Sequence, residues 1–377
     1  MTRTLIGLVE AASAQLPTQD ALVGPDGRVT YGALPRLVSR LAGRYAALGL
    51  RPGDRIGVLL PNGMRLAVAT LAAHYAGLAV VPVNTWYRST ELAYVIEKAR
   101  LGLIVTDETV FGRSIPDDLD AAGYTGPRML WPVGLELPGD EAMPLSSPLC
   151  TPRDIALILF TSGSTAKPKP VPLIHDSLVR NTWQIGARQH ARAGDRIWFA
   201  APFFFGYGCS NAWGVALNYG AALCLEERVT PDSLAFIEAE RCTIYYGLAT
   251  STRTLLAAPG FGRHDISSLR TGTTGFTADD KRLAIEELGV LEVCSVYGLT
   301  EAYGHSVMTD ALDPLEVKLH TQGTVLPTQE LRIMDEHGRP CDTDVVGEVQ
   351  LHGCVMTHSN CTRSCCWPAS PSPTGGT

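Results

Sequence analysis

The sequence predicts an α/β protein built on mostly parallel sheets. Three observations carry that reading. Strand-like and helix-like segments alternate through residues 1–150, the same alternation returns over 153–320, and residues 321–353 change to short strands around turns. Strands that alternate with helices imply parallel sheets covered by helices on both faces.

Taken in order, residues 1–16 carry Arg3 and a short apolar patch interrupted by Glu10. This predicts an amphipathic helix lying on the first domain rather than a signal peptide. Pro52-Gly53 is a turn, and 54–60 after it is a strand. A helix with an apolar stripe follows over 64–77, then a strand over 78–83. Residues 89–100 read as a helix capped by Ser89 or Thr90 with Glu91 in its first turn. Leu103, Ile104 and Val105 form the next strand. Residues 144–152, rich in proline and serine, read as a linker.

Beyond the linker, 155–160 is a buried strand and 291–296 another. Leu331 to Met334 and Glu348 to Leu351 are short strands around turns at Gly338 and Gly347. Residues 354–377 have no acidic residue and no periodicity, and are expected to be disordered. The expected division is therefore 1–150, 151–320, 321–353 and a 354–377 tail.

Bulk properties narrow the function classes. The 377 residues suffice for more than one core, and a net charge of −7 offers nothing to nucleic acid or acidic lipid. No apolar run reaches the roughly 18 residues of a membrane span, so the expected location is the cytoplasm. Six scattered cysteines (Cys150, Cys209, Cys224, Cys242, Cys294 and Cys341) read as reduced and mostly buried. Cys354, Cys361, Cys365 and Cys366, with His352 and His358, lack the paired spacing of a zinc knuckle. His175, His190 and His305 show no metal-ligand spacing either.

The chemistry concentrates in two places. The strand 155–160 empties into Thr161-Ser162-Gly163-Ser164-Thr165-Ala166-Lys167-Pro168-Lys169. Backbone N–H groups, hydroxyls and a cation in one loop suit a polyphosphate. The loop is not that of a P-loop NTPase, because Ala166 precedes Lys167 where a second glycine is needed, and Pro168 disfavours a helix starting there. The second place is Tyr297-Gly298-Leu299-Thr300-Glu301, at the C-terminal end of the strand 291–296. Open α/β sheets bind ligands at that edge, and a hydroxyl beside a carboxylate suits Mg²⁺ bridging phosphates.

The Thr161 loop resembles the phosphate-binding loop of the adenylate-forming enzymes: acyl-CoA synthetases, adenylation domains and luciferases. It fits the pattern Ser/Thr-Ser-Gly-Ser/Thr-Thr-Gly-x-Pro-Lys at every position except Ala166. Tyr297 to Glu301 matches the family's second core motif, and Pro52-Gly53-Asp54, Leu60-Pro61-Asn62 and Val83-Asn84-Thr85 are similar to its first subdomain.

The resemblance implies two stacked α/β subdomains followed by a partial β-rich, distorted-barrel subdomain. It implies that Thr161, Ser162, Gly163, Ser164, Thr165 and Lys169 hold the phosphates of ATP. Glu301 would hold Mg²⁺, Thr300 touch the α-phosphate and Tyr297 stack on adenine. Gly272, Thr273 and Thr274 correspond to a loop lining the adenine and acyl pocket.

The resemblance extends to Pro202-Phe203-Phe204-Phe205-Gly206-Tyr207-Gly208 and implies that Phe205 stands where a histidine or an aromatic of the family gates the acyl pocket and the pantetheine channel. With Gly206, Tyr207, Gly272 and Gly298 it would contact the acid. Adjacent side chains diverge, so packing is expected for two of the three phenylalanines. Tyr207 and Trp213 make a hydrophobic or ring-bearing acid the expectation, and Glu348 is expected to be structural.

The implied reaction is ATP-dependent activation of a carboxylic acid to acyl-AMP, with Lys169, Thr300 and Glu301 as catalytic residues. Transfer to coenzyme A, or to a carrier protein, would follow. The family's Thr-Gly-Asp motif, hinge and small lysine-bearing domain do not follow residue 353. The tail's composition is what a shifted frame in a GC-rich gene yields, so a frameshifted or truncated large domain is expected. A chain complemented in trans, one that uses preformed acyl-AMP, and one that only binds a nucleotide or acyl ligand are the alternatives.

Overall fold

The computed structural model describes residues 3–131, 143–161, 167–275 and 277–353. The tail 354–377, with its four cysteines, lies outside the described residues, as does the loop 162–166.

Two sheets organise the chain. The first runs Glu292–Cys294, Thr271–Thr273, Ile244–Tyr246, Arg196–Phe199, Ala222–Leu225, Asp20–Gly24 and Gly27–Thr30 from edge to edge, parallel except for the last pair. The second runs Lys169–Ile174, Ile155–Thr161, Ala79–Pro82, Arg55–Leu59, Leu103–Thr106 and Arg128–Leu130, parallel except for the first pair. Both sheets cross residue 150. Asp20–Gly24 and Gly27–Thr30 join strands from the second half, and Ile155–Thr161 and Lys169–Ile174 join strands from the first.

Alternate residues of one strand feed different cores, which explains the near-continuous apolar runs. Ile197 and Phe199 face a central core shared by both sheets, while Trp198 faces an outer one. Val58 and Leu157 enter the same central core, while Leu59 and Ile158 face the outer layer of the second sheet. Helices Leu34–Ala47, Met64–Tyr75 and His175–Arg188 contribute to the central core, so the order is helix, sheet, helix, sheet, helix. The N-terminal helix Leu5–Gln15 contacts helices from both halves, with Thr4 Oγ1 accepting from the Gly7 N–H at 3.0 Å as its cap.

Two predicted elements differ in detail. Helix Ser89–Ala99 starts after Arg88, whose N–H donates to Glu91 Oε2 at 3.1 Å, so Ser89 is the first helical residue rather than the cap. The single strand expected over 291–296 is two strands. Glu292–Cys294 belongs to the seven-stranded sheet, and Val296–Tyr297 pairs with Val307–Met308 in a separate three-stranded sheet completed by Thr324–Val325. Ser295 makes the transfer, donating its N–H to Thr309 Oγ1 at 2.8 Å and its hydroxyl to the Lys318 carbonyl.

The β-rich end is open. Gln329–Met334 pairs antiparallel with Glu348–Gly353 as a two-stranded ribbon, and no closed barrel forms among the described residues. Five short strands in two sheets do not supply the tilted, continuous ring that closure requires. Cys209, Cys224, Cys242 and Cys294 are buried, and all six cysteines of the globular part are free.

Candidate active site

Thr161 and Lys169 are paired directly across the antiparallel hairpin formed by Ile155–Thr161 and Lys169–Ile174. The hairpin therefore delivers both ends of the hydroxyl-rich loop to one spot at the rim of the second sheet. Lys167 and Lys169 are exposed there. Ser162, Gly163, Ser164, Thr165 and Ala166 lie outside the described residues. One foot of the loop is held by Tyr94, whose hydroxyl donates to the Pro168 carbonyl at 2.8 Å while its ring lies 5.4 Å from Lys167 Nζ.

The second motif sits against this hairpin. Thr300–Ala302 is a 3₁₀ turn packed on the strand Lys169–Ile174. The Ile174 N–H donates to the Tyr303 hydroxyl at 3.0 Å, tying the turn to the strand. Gly298 is required by close approach, since a Cβ there would overlap the Gly304 carbonyl oxygen. Thr300 and Glu301 are partly exposed, and the Tyr297 ring packs towards Ala302 and Leu351.

The third component is the aromatic loop. Asn62, from the Leu60-Pro61-Asn62 turn, donates Nδ2 to the Ala201 carbonyl at 2.6 Å and accepts from the Phe203 N–H at 2.8 Å through Oδ1. This clamp sends three consecutive rings to different places. Phe203 is fully buried edge-on to Phe199, Phe204 packs edge-on to Trp86, and Phe205 remains 47% exposed. Phe203 and Phe204 are buried and packed, the two of three expected, and Phe204 also contributes to a cavity wall. Trp213 is wholly in the core and lines neither of the two cavities that meet at Phe205.

A π-helical turn, Tyr207–Ala212, follows the loop. Tyr207 is fixed within it. Its hydroxyl lies 3.1 Å from the Thr273 carbonyl and 2.7 Å from Thr273 Oγ1, and its burial pushes the phenol pKa well up.

Two cavities meet at Phe205 and Leu248. One, of about 280 Å³, brings together Phe205, Gly206, Tyr207, Thr274, Gly298 and Thr300 from the residues singled out by sequence. The other, of about 460 Å³, lies on the far side of Phe205 and is lined by Trp86, Phe204, Arg228 and Thr250 among others.

Gly272 and Thr273 lie inside their strand instead. Gly272 has φ +144° and no room for a Cβ beside Tyr245, and Thr273 acts on the cavity by holding Tyr207. Thr161, Lys169, Tyr297 and Glu301 are not in the cavity wall, although Thr161 and Lys169 belong to the hairpin strands that supply Leu159 and Leu173, and Tyr297 and Glu301 adjoin Gly298 and Thr300 in sequence.

The wall also contains residues that sequence reasoning passed over. Leu159 and Leu173 come from the two hairpin strands, Ser210 and Asn211 from the π turn, and His305 from beyond the Thr300 turn. The adjacent polar pair Ser210-Asn211 inside an otherwise apolar stretch was the available signal.

Glu301 belongs to no cluster of three or more metal-ligating side chains among the described residues. That donor set fits Mg²⁺, which is held through one or two carboxylates together with substrate phosphates and water. No helix among the described residues is long and apolar enough to cross a membrane.

The same fold occurs in proteins of known structure. The fold matches an anthranilate CoA ligase in complex with anthranoyl-AMP with a TM-score of 0.83 at 20% identity, over 94% of this chain and 69% of that one. It matches the o-succinylbenzoate CoA synthetase of Bacillus subtilis in complex with AMP with a TM-score of 0.78 at 22% identity, over 93% and 88%.

In sequence, the chain is 31% identical to a Mycobacterium tuberculosis ligase that joins 3-[(3aS,4S,7aS)-7a-methyl-1,5-dioxo-octahydro-1H-inden-4-yl]propanoate to CoA, over 93% of this chain and 71% of the relative. It is 28% identical to a mitochondrial medium-chain acyl-CoA ligase of Macaca fascicularis over 94% and 65%. The chain thus spans about two thirds of the length of these curated relatives. The family profile described as "AMP-binding enzyme" matches residues 9–359, and the chain belongs to that family of AMP-forming acyl-CoA ligases.

Proposed function

We propose that this chain uses ATP and Mg²⁺ to convert a hydrophobic or ring-bearing carboxylic acid to acyl-AMP, which is then passed to coenzyme A. The supporting observation is the single cavity walled by Leu159 and Leu173 of the phosphate-loop hairpin, Gly298 to Thr300 of the second motif, and Phe205 to Tyr207. The acid would lie along Tyr207, Leu248 and Val296, with its carboxylate towards Thr300.

A carboxylate oxygen then attacks the α-phosphorus, the bond to pyrophosphate breaks, and pyrophosphate leaves past the Thr161–Thr165 loop. Lys169 and the loop N–H groups offset the charge that grows on those oxygens. Mg²⁺ at Glu301 supplies further neutralisation when bound. In the second step the thiol attacks the acyl carbonyl, AMP departs, and the thiol proton passes to solvent. The cavity beyond Phe205, with Trp86 and Arg228 in its wall, suits the arm that carries the thiol. The Mycobacterium relative's fused-ring acid and the anthranilate ring of the structural neighbour agree with a ring-bearing substrate.

The test is pyrophosphate release with ATP, Mg²⁺ and a panel of aryl, alicyclic and fatty acids, followed by thioester formation with CoA or a carrier protein. Release should depend on one class of acid and fall about 10²–10³-fold in Glu301→Gln, the loss expected on removing a charge-stabilising group. Ala166, in place of the family's loop glycine, favours a second reading in which preformed acyl-AMP is the substrate. Thioester formation from supplied acyl-AMP without ATP-dependent pyrophosphate release would select it.

A further inference from the structure

Asn62 sits in a turn, yet its side chain is directed elsewhere. Asparagines in turns commonly bond their own neighbouring backbone, whereas the Asn62 amide reaches residues 139 to 164 positions along the chain. Nδ2 donates to the Ala201 carbonyl at 2.6 Å and to the Glu226 carbonyl at 3.3 Å, and Oδ1 accepts the Phe203 N–H at 2.8 Å. Two carbonyls face the amino group and one N–H faces the oxygen, so the amide has a single consistent orientation. Ala201 lies just beyond strand Arg196–Phe199, Glu226 just beyond strand Ala222–Leu225, and Asn62 just beyond strand Arg55–Leu59 of the other sheet. One side chain therefore ties the C-terminal edges of the two sheets together.

The loop held in this way carries the partition between the two cavities. Phe205 and Leu248 line both, and Ala201, Pro202 and Phe204 line the 460 Å³ one. At 47% exposure, Phe205 is not fixed by core packing. Its ring neighbours are Phe204 at 4.6 Å and Trp86 at 6.4 Å between centroids. Its place depends on the backbone that Asn62 pins at Ala201 and Phe203.

Resting on the adenylate-forming reading above, we propose that Asn62 is a positioning residue for the thiol step, acting through Phe205 to keep water from the acyl-AMP until the thiol arrives. An acyl-AMP at the boundary of two cavities meets two nucleophiles. Thiol attack gives the thioester. Attack by a water oxygen breaks the same bond between the acyl carbon and the AMP oxygen, returns the free acid and AMP, and sends a proton to solvent. Excluding water suppresses such side reactions. A tethered Phe205 closes the acyl cavity on the side of the larger one, and a loose Phe205 lets solvent through. A clamp that served folding alone would alter stability without altering the division between the two products.

The experiment supplies the adenylates of 3-phenylpropanoic, cyclohexanecarboxylic and octanoic acids together with CoA, and reads free acid and thioester by chromatography. Asn62→Ala deletes all three hydrogen bonds. Asn62→Asp keeps the shape and the bond from Phe203 but sets an anion against two carbonyls, so it carries the test if the alanine variant does not fold. Both should raise the ratio of acid to thioester about tenfold, less than the factor of about 10² that a shift of about 1 Å at a reacting centre costs. Phe205→Ala should raise it by a similar factor. Asn62→Ala combined with Phe205→Ala should be no worse than Phe205→Ala alone, because residues that act as a unit are not additive. An unchanged ratio in the folded aspartate variant or in Phe205→Ala overturns the proposal, as do effects of the two substitutions that multiply. Thioester from none of the three adenylates with the unaltered protein would instead sink the adenylate-forming reading, and this one with it.

Discussion

Tyr94 anchors Pro168: the phenol of one donates to the carbonyl of the other at 2.8 Å, and the same ring lies beneath the Lys167 ammonium. Tyr94 belongs to helix Ser89–Ala99, so the outer helical layer of the second sheet holds one end of the phosphate loop. Preorganising that end lowers the entropy lost when phosphates bind. Tyr94→Phe keeps the ring and removes one hydrogen bond worth about 1 kcal/mol. The expected result is an ATP KM raised about fivefold with kcat little changed. Initial rates at varied ATP check this, and an unaltered KM would show that the loop does not depend on its anchor.

Gly298 presses against the Gly304 carbonyl, and the Thr300 turn hangs between them. Gly298→Ala must push that turn outward, displacing Thr300 and Glu301 together. A shift of about 1 Å at a reacting centre costs about 10² in rate, whereas overpacking costs about 1–3 kcal/mol of stability. Pyrophosphate release should therefore fall by about two orders of magnitude in a protein that still unfolds cooperatively. Full activity in that variant would remove the turn from the chemistry.

Much of the fold was legible because buried parallel strands leave apolar runs that periodicity exposes, as at 54–60, 78–83 and 155–160. The sharing of strands between sheets was not, since nothing local to Asp20–Gly24 says that its neighbour is Ala222–Leu225. The break at Ser295 was hidden for a related reason: its cause is a pair of hydrogen bonds to Thr309 and Lys318, both distant in sequence. Within the site, Phe205 and Thr300 announce themselves by motif. Ser210 and His305 do not, because a serine in a helix and a solitary histidine acquire meaning only when the fold places them in a cavity wall.

Arg270 carries a different burden. Its Nη2 donates to Asp195 Oδ2 at 2.6 Å, and Asp195 is 2% exposed, with Thr243 Oγ1 and the Arg192 N–H as its other donors. The pair fastens the loop before strand Arg196–Phe199 to the loop before Thr271–Thr273. Arg270→Leu leaves a buried carboxylate without its counter-ion, a loss of about 3–5 kcal/mol. Asp195→Asn with Arg270→Leu should recover part of that. Urea unfolding of the single and double variants checks the coupling, and additive losses would deny it.

Acid sensitivity follows from three buried imidazoles. His74 is fully buried with Nε2 3.0 Å from the Ala156 carbonyl, and its ring meets His175 edge-on at 4.9 Å. Burial lowers His74 and His305 from 6.5 to about 4, and burial, with the help of neighbouring His74, lowers His175 well below 6.5. A folded-state pKa below the unfolded one means that the unfolded chain takes up protons first as pH falls. The stability these groups contribute is therefore complete above about pH 6.5 and is lost progressively towards pH 4, by up to about 3 kcal/mol for each of His74 and His305. Asp176, held low chiefly by its hydrogen bond with Arg3, titrates below the ordinary carboxylate range and so outside most of this window. Urea midpoints should fall between about pH 7 and about pH 5, and His74→Gln should flatten the slope whatever it does to stability at neutral pH. A midpoint independent of pH across that interval would mean that these imidazoles reach solvent in the folded protein.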